Sequence, residues 1–221
     1  MRLFYPELNF CLDSKAGIYN LIIENKKFFR ECVVDLKNQQ EGGEGKFILQ
    51  NDAGDPINTS SHIQVITDLF SISLHQKNIL NKVIKNLEEE ISLSSYELKL
   101  NETIELLSNY IKYAGNSLGI NIEFQKNNLD SILHAMDISI QSSNQANLLE
   151  QLLDYMDLTC RSVEDAFVIV NAYSLFTREE IEQFIYNCQN KELQIFFVEN
   201  RYYTHIPPAS SVIIDEDLCG L

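Results

Sequence analysis

Paired cysteines, long apolar runs and an excess of positive charge are all missing from this sequence, and each absence removes a class of function. The five cysteines (Cys11, Cys32, Cys160, Cys188, Cys219) are odd in number, scattered, and never in C-x-x-C spacing. Such a set suggests neither a disulfide framework nor a zinc site, and reads as small buried hydrophobes in a reducing compartment. No apolar run reaches the ~18–20 residues that span a bilayer. The start, Met1 to Glu7, lacks the long apolar region of a signal peptide because Pro6 and Glu7 interrupt it. A cytoplasmic protein without membrane contact is therefore expected. Lys and Arg number 17 against 32 Asp and Glu, for a net charge of −15. Taken alone this argues against nucleic acid, whose backbone is held by Lys and Arg. Net charge does not say where the charges sit, however, and an acidic protein can carry a basic groove.

What is present fits a globular chain. At 221 residues, 45% hydrophobic and 22% charged, it has the length for one large domain or two small ones. Leu8–Leu12 and Ile18–Ile23 are rich in β-branched or aromatic residues and read as strands around the turn-like Asp13–Gly17. A helix is expected over Asn25–Leu36, then a glycine-rich loop over Gln39–Gly45 and a strand at Phe47–Gln50. Asn51–Ser61 reads as a second loop, and Ile63–Leu69 fits a strand or a short helix equally. The middle changes character. Leu80, Val83, Ile84, Leu87 and Ile91, then Ile104, Leu107, Ile111 and Ala114, repeat at helical spacing and predict two long antiparallel helices joined at Ser94-Ser95. Leu118, Ile120, Ile122 and Phe124 alternate like a short strand, and shorter helices follow near Leu129–Met136 and Asn144–Asp157. After Arg161 the apolar runs Ala166–Val170 and Leu193–Val198 flank a helix over Thr177–Cys188. Uninterrupted runs of this kind suit a parallel sheet covered on both faces. A last short strand is expected at Val212–Ile214. The sequence thus predicts an α/β sheet domain built from both chain ends, residues 1–75 and 161–221, with an α-helical domain inserted over residues 76–160.

Catalytic patterns fail one by one. A phosphate-binding loop needs G-x-x-x-x-G-K-[ST] running into a helix. In Glu41-Gly-Gly-Glu-Gly-Lys46, Gln40 stands where the first glycine belongs, Phe47 replaces the Ser/Thr, and a strand follows. Phe167-Val-Ile-Val170 resembles the strand that ends in a magnesium-binding acid, but the next residue is Asn171. The four histidines (His62, His75, His134, His205) share no ligand spacing, and no G-x-S-x-G occurs. Glu179-Glu180 follow Thr177 as a T-x-x-E capping box, and Glu88-Glu89-Glu90 reads as a solvated helix end. Basic stretches remain: Lys26, Lys27, Arg30 and Lys37 in the first helix, and Lys77, Lys82 and Lys85 on the first long middle helix. Arg201 with Tyr202-Tyr203 is another place where basic and aromatic residues meet. No enzyme is indicated. A divergent nucleotide-binding protein or NTPase using Gly42–Lys46, or an acidic scaffold that docks basic proteins, stands as the alternative.

The C-terminal third is specific. Val168-Ile-Val-Asn-Ala-Tyr-Ser-Leu-Phe-Thr-Arg-Glu-Glu180, then Leu193-Gln-Ile-Phe-Phe-Val-Glu-Asn-Arg201, then Ile214-Asp-Glu-Asp217, resembles the ring-forming, DNA-end-binding adaptation protein family of type II-A CRISPR systems. Leu8-Asn9-Phe10 also fits, as does Ile120–Gln141 read as strand, helix and strand. The resemblance implies a P-loop-NTPase-like α/β domain, degenerate and without working Walker motifs, carrying the helical insert. It further implies a non-enzymatic homotetrameric ring that binds double-stranded DNA ends during spacer acquisition in antiviral defence. Partners would be the CRISPR integrase proteins and the RNA-guided nuclease. A basic hole inside an acidic ring would reconcile the charge with DNA. By charge, Lys77, Lys82, Lys85 and Arg201 are the candidate DNA contacts. The resemblance also implies calcium. In the matching stretch Asn121-Ile-Glu123-Phe-Gln125-Lys126 only Glu123 is an acid, so it is the candidate metal ligand.

Overall fold

A computed structural model describes residues 2–8, 10–13, 18–51, 53–74, 77–126, 128–140, 147–160, 165–204 and 211–218. His75, His205 and Cys219 lie outside them. By contact the chain divides into two compact units, one formed by Met1–Ile72 with Gln145–Leu221 and the other by Ser73–Asn144.

The first unit holds a five-stranded parallel sheet in the order β6-β7-β8-β3-β9. Its strands are β3 (Ile18–Ile23), β6 (Ile63–Ile66), β7 (Ala166–Val170), β8 (Gln194–Glu199) and β9 (Ser211–Ile214). Every residue of β3 and β7 is buried, which is why both read as continuous apolar runs. Side chains alternate between the faces. Tyr19, Leu21, Ile23, Val168, Phe196 and Val198 form one core with Phe28, Cys32 and Leu36 of α1 (Lys26–Gln40). On the opposite face Phe197 meets Phe184 of α7 (Arg178–Asn190), ring centroids 6.4 Å apart. There too Gln64 donates to the hydroxyl of Tyr155 in α6 (Leu148–Thr159). Residues such as Phe196, fully buried, each contribute about 1.5–3 kcal/mol of apolar burial.

The undecided segment after Ser61 resolves as β6, parallel to β7 in register Ile63 to Ala166. The first strands differ from expectation. β1 (Arg2–Tyr5), β2 (Phe10–Asp13), β4 (Ile48–Gln50) and β5 (Pro56–Ile57) form a second, antiparallel sheet, while Pro6–Leu8 is a 3-10 turn. Tyr5 crosses Phe28 and Phe47 edge to face at 5.6 and 4.9 Å, so α1 shares one core with strands of both sheets. The expected loop over Asn51–Ser61 accordingly contains β5 and, after it, α2 (Thr59–His62). α6, expected at the end of the helical insert, groups with the sheet unit; besides the Tyr155 contact, its Asp157 pairs with Lys191 at 2.6 Å.

Among the described residues, the regular elements of the second unit are helices: α3 (Lys77–Leu93), α4 (Glu97–Ser117) and α5 (Leu129–Ala135). Ser94 does not cap α4; its hydroxyl donates to Ile91 O at 2.6 Å, and Tyr96 holds the cap position without a side-chain bond. The alternating run to Phe124 forms no strand. It folds back over the end of α4 instead, with Ile120 N–H donating to Gly115 O at 2.9 Å. Ile122 takes the space a Cβ on Gly115 would fill, which would stand 2.6 Å from Ile122 Cδ1. Alternation without a partner strand to satisfy its backbone groups yields a packed turn. The described residues 137–140 likewise hold no second strand. No described helix is long and apolar enough to cross a membrane.

Candidate nucleic-acid interface

The carboxyl edge of the parallel sheet gathers most of the polar chemistry of the first unit. Beyond β3 the chain enters α1 at once, capped by Asn25. Its Oδ1 accepts from Lys27 N–H at 3.1 Å and Phe28 N–H at 2.9 Å, while its Nδ2 donates to Glu216 O at 2.8 Å. The first turn of α1 then presents Lys26, Phe29 and Arg30. Beyond β8 follow Asn200, Arg201 and Tyr203. These elements enclose an open crevice of about 740 Å³, with Glu24 and Glu216 also on its wall. The Arg201 guanidinium lies over the Tyr203 ring, 4.6 Å from its centroid, and Tyr203 stacks on the buried Tyr173 at 6.4 Å. None of Lys26, Arg30 and Arg201 forms an ion pair with another described residue, unlike Lys27, which has Glu31.

Beneath the crevice is a buried polar group. Glu199, wholly buried at the end of β8, accepts from Tyr173 N–H at 3.1 Å, while its second oxygen has no partner among the described residues. Burial pushes its carboxyl up to about 8, against the lowering effect of the Tyr173 and Ala172 amides and of Arg201. Tyr173 donates its hydroxyl to Asn20 Oδ1 at 2.9 Å, and burial raises its phenol as well. The network fixes the turn after β7, where Asn171 sits in the left-handed region at φ 57° with its Oδ1 accepting from Asn200 N–H at 3.3 Å. The position of the missing magnesium acid is therefore occupied by a turn-forming asparagine. The T-x-x-E box is formed at the start of α7, with Thr177 and Glu180 bonded reciprocally.

The glycine loop has a different job from phosphate binding. It terminates α1: Gly42, at φ 88°, donates to Gln39 O, and Gly43 to Asn38 O at 2.8 Å. A helix C-terminus presents carbonyls and the negative end of the dipole, the opposite of a phosphate cradle. Lys46 is held by Glu7 at 2.9 Å rather than facing the loop.

Of the sequence candidates, Lys77, Lys82 and Lys85 share α3, and Arg201 belongs to the other unit. Lys77 is exposed, and Lys85 pairs with Glu89 at 3.7 Å. Glu123 is exposed, and no group of three or more His, Cys, Asp or Glu side chains placed to hold a metal occurs among the described residues. Calcium takes six to eight oxygens, several of them from carboxylates, and no such carboxylate cluster surrounds Glu123 among the described residues. His62 bonds Asp165 at 3.1 Å and His134 lies 3.4 Å from Asp130. The two buried thiols, Cys32 and Cys188, are pushed up to about 12, Cys32 by burial and nearby acids and Cys188 by burial, as expected of inert core residues. The basic run of α1 and Arg201 are not adjacent in sequence; the signal that joins them is that Lys26 lies just beyond the end of one sheet strand and Arg201 just beyond another.

A family model for the CRISPR-associated protein Cas_Csn2 matches residues 39–218. The chain belongs to the Cas_Csn2 family. Membership places the protein in CRISPR adaptation, and the match includes α3, Glu123, the capped α7 and the Arg201 strand end. Among solved structures, that of Stu0660 of Streptococcus thermophilus is similar, with a TM-score of 0.61 and 14% identity, over 90% of this chain and 68% of that one. At that identity the likeness shows the fold. A comparison with curated proteins finds no match.

Proposed function

We propose that this Cas_Csn2 family member is a non-catalytic protein that binds double-stranded DNA at its ends during spacer acquisition, as a homotetrameric ring. The observation that carries the reading is the family match across residues 39–218. The geometry supports it in two ways. A sheet in the order β6-β7-β8-β3-β9 resembles that of a P-loop NTPase, yet Asn171 replaces the metal-binding acid and α1 starts directly after β3 with its first amides taken by Asn25. A nucleotide-hydrolysing head stripped of its grips is suited to binding.

The second support is the helical unit, which we read as the inserted domain. On α4, Leu98, Leu106, Leu107, Tyr110 and Tyr113 are all more than half exposed in the single chain. A stripe of this extent marks a protein contact surface, and another copy of the chain would cover it. Assembly would then line Lys77, Lys82, Lys85 and Arg201 around a hole, leaving the acidic surface outside. Partners in the cytoplasm would be the integrase proteins and the RNA-guided nuclease. Calcium, implied by resemblance, would need ligands from a second copy beside Glu123, and a change of assembly on chelation tests it.

Sedimentation with duplex titration by fluorescence anisotropy tests the proposal. The expected result is a tetramer whose affinity falls steeply with salt, with log K falling by about 0.9 per log salt for each phosphate neutralised. Replacing Lys77, Lys82 and Lys85 together by alanine should flatten that slope. A monomer that ignores duplex DNA at low salt would remove the reading.

A further inference from the structure

We infer that the crevice at the carboxyl edge of the parallel sheet is a binding site for a 5′-nucleoside monophosphate unit, either as the terminal residue of a DNA strand or as a free nucleotide. The DNA-end source rests on the function proposed above; the free-nucleotide source does not.

The place is favourable for topological reasons. α1, which follows β3, packs on one face of the sheet, while α7, which follows β7, packs on the other, and β8 ends between them. In open α/β sheets ligands settle where neighbouring connections part in this way. The crevice, about 740 Å³, falls within the range of small-ligand sites.

The lining selects the chemistry. Lys26 and Arg30 stand four residues apart on α1, so they share a helix face. Arg201 faces the same crevice from the end of β8, giving three cations that form no ion pair with another described residue, in a chain of net charge −15. Such a set calls for an anion. Its size is limited because Asn25 already satisfies the amides of Lys27 and Phe28, and Phe29 N–H donates to Asn25 O at 2.8 Å. With no backbone cradle, side chains alone hold the anion, which suits one phosphate better than a triphosphate chain. Beside the cations stands an aromatic surface that is already fixed: Tyr203 stacks on Tyr173, which is anchored to Asn20 in the core. The Arg201 guanidinium already lies over the Tyr203 ring, so a base ring stacks on that guanidinium plane, which Tyr203 backs. Glu24 and Glu216 supply acceptors for sugar hydroxyl or base amino groups, and they would repel a bare polyanion.

Titration calorimetry of the full chain with dAMP, deoxyadenosine and inorganic phosphate separately, and anisotropy with duplexes ending in a 5′-phosphate or a 5′-hydroxyl, test the site. The expected result is dAMP binding at least about tenfold tighter than phosphate or deoxyadenosine, with Arg201→Ala and Arg30→Ala each weakening it by about tenfold or more. Tyr203→Ala should bring dAMP down toward phosphate, and Lys37→Ala, on the same helix but outside the crevice, should change nothing. Preference for the 5′-phosphorylated duplex identifies the DNA end as the source; dAMP binding without that preference identifies the free nucleotide. Duplex binding with neither dAMP affinity nor an end-phosphate preference overturns the inference and leaves the proposed function standing. Equal affinity for phosphate and dAMP, or an Arg201→Ala variant that binds dAMP as the parent does, also overturns it. Binding of dAMP by a protein that ignores duplexes would support the site and remove the DNA reading.

Discussion

Raising the pH should destabilise this protein through one buried carboxyl, Glu199. Its ordinary value near 4.5 is pushed up to about 8 by burial at the end of β8. The folded state therefore keeps a proton that the unfolded chain gives up, and stability depends on it. The contribution is complete below about 4.5 and is lost as pH rises through about 8, with a slope of about 1.4 kcal/mol per unit in between. From pH 6 to pH 9 the loss amounts to about 2–3 kcal/mol, or roughly 5–10 °C in Tm for a chain of this size. Glu199→Gln is neutral at every pH and keeps an acceptor for the Tyr173 amide. Its new amide N–H groups carry a fixed cost, since Oε2 has no partner among the described residues to offer them. The slope is thus the readout rather than the absolute stability. Urea unfolding of both proteins at intervals from pH 6 to pH 9 should show curves that converge or cross as pH rises. Parallel curves would refute the reasoning.

Asn171→Asp, which restores an acid after β7, should produce no ATP turnover in a coupled phosphate-release assay. The glycine loop is a helix end and offers no phosphate cradle, so measurable turnover would contradict that reading. Tyr110→Lys together with Leu106→Lys should shift the assembly toward monomer in sedimentation while leaving the circular-dichroism spectrum unchanged, because both side chains are more than half exposed in the single chain. Thr177→Ala removes the side chain that accepts from Glu180 N–H and should cost about 1 kcal/mol in urea unfolding, with Thr177→Ser recovering most of it.

The parallel sheet was legible because its signal is local. Fully buried strands such as Ala166–Val170 are continuous apolar runs, and the caps at Asn25 and Thr177 stand directly before their helices. The antiparallel sheet was less so. β5 has two residues, and β1 pairs not only with its neighbour β2 but also with the distant β4, so the sheet depends on a partner far along the chain. Ile120 to Phe124 shows the reverse failure, in which a strand-like pattern exists because Ile122 fills the notch over Gly115. The crevice was the hardest to see. Lys26 and Arg201 lie near opposite ends of the sequence, and only the parallel pairing of β3 with β8 brings them to one edge. Nothing in the identities of the residues next to Glu199 says that the turn after β7 covers it.

The central claim is that the protein engages free ends of duplex DNA, and competition between topologies tests it most directly. A labelled linear duplex bound to the protein would be challenged with the same sequence as unlabelled linear DNA or as covalently closed circles, at low and moderate salt. The account predicts that linear competitor displaces the label and that closed circles of equal mass do so poorly. Equal displacement by circles would contradict end binding, because it would mean that the protein grips the duplex from the side.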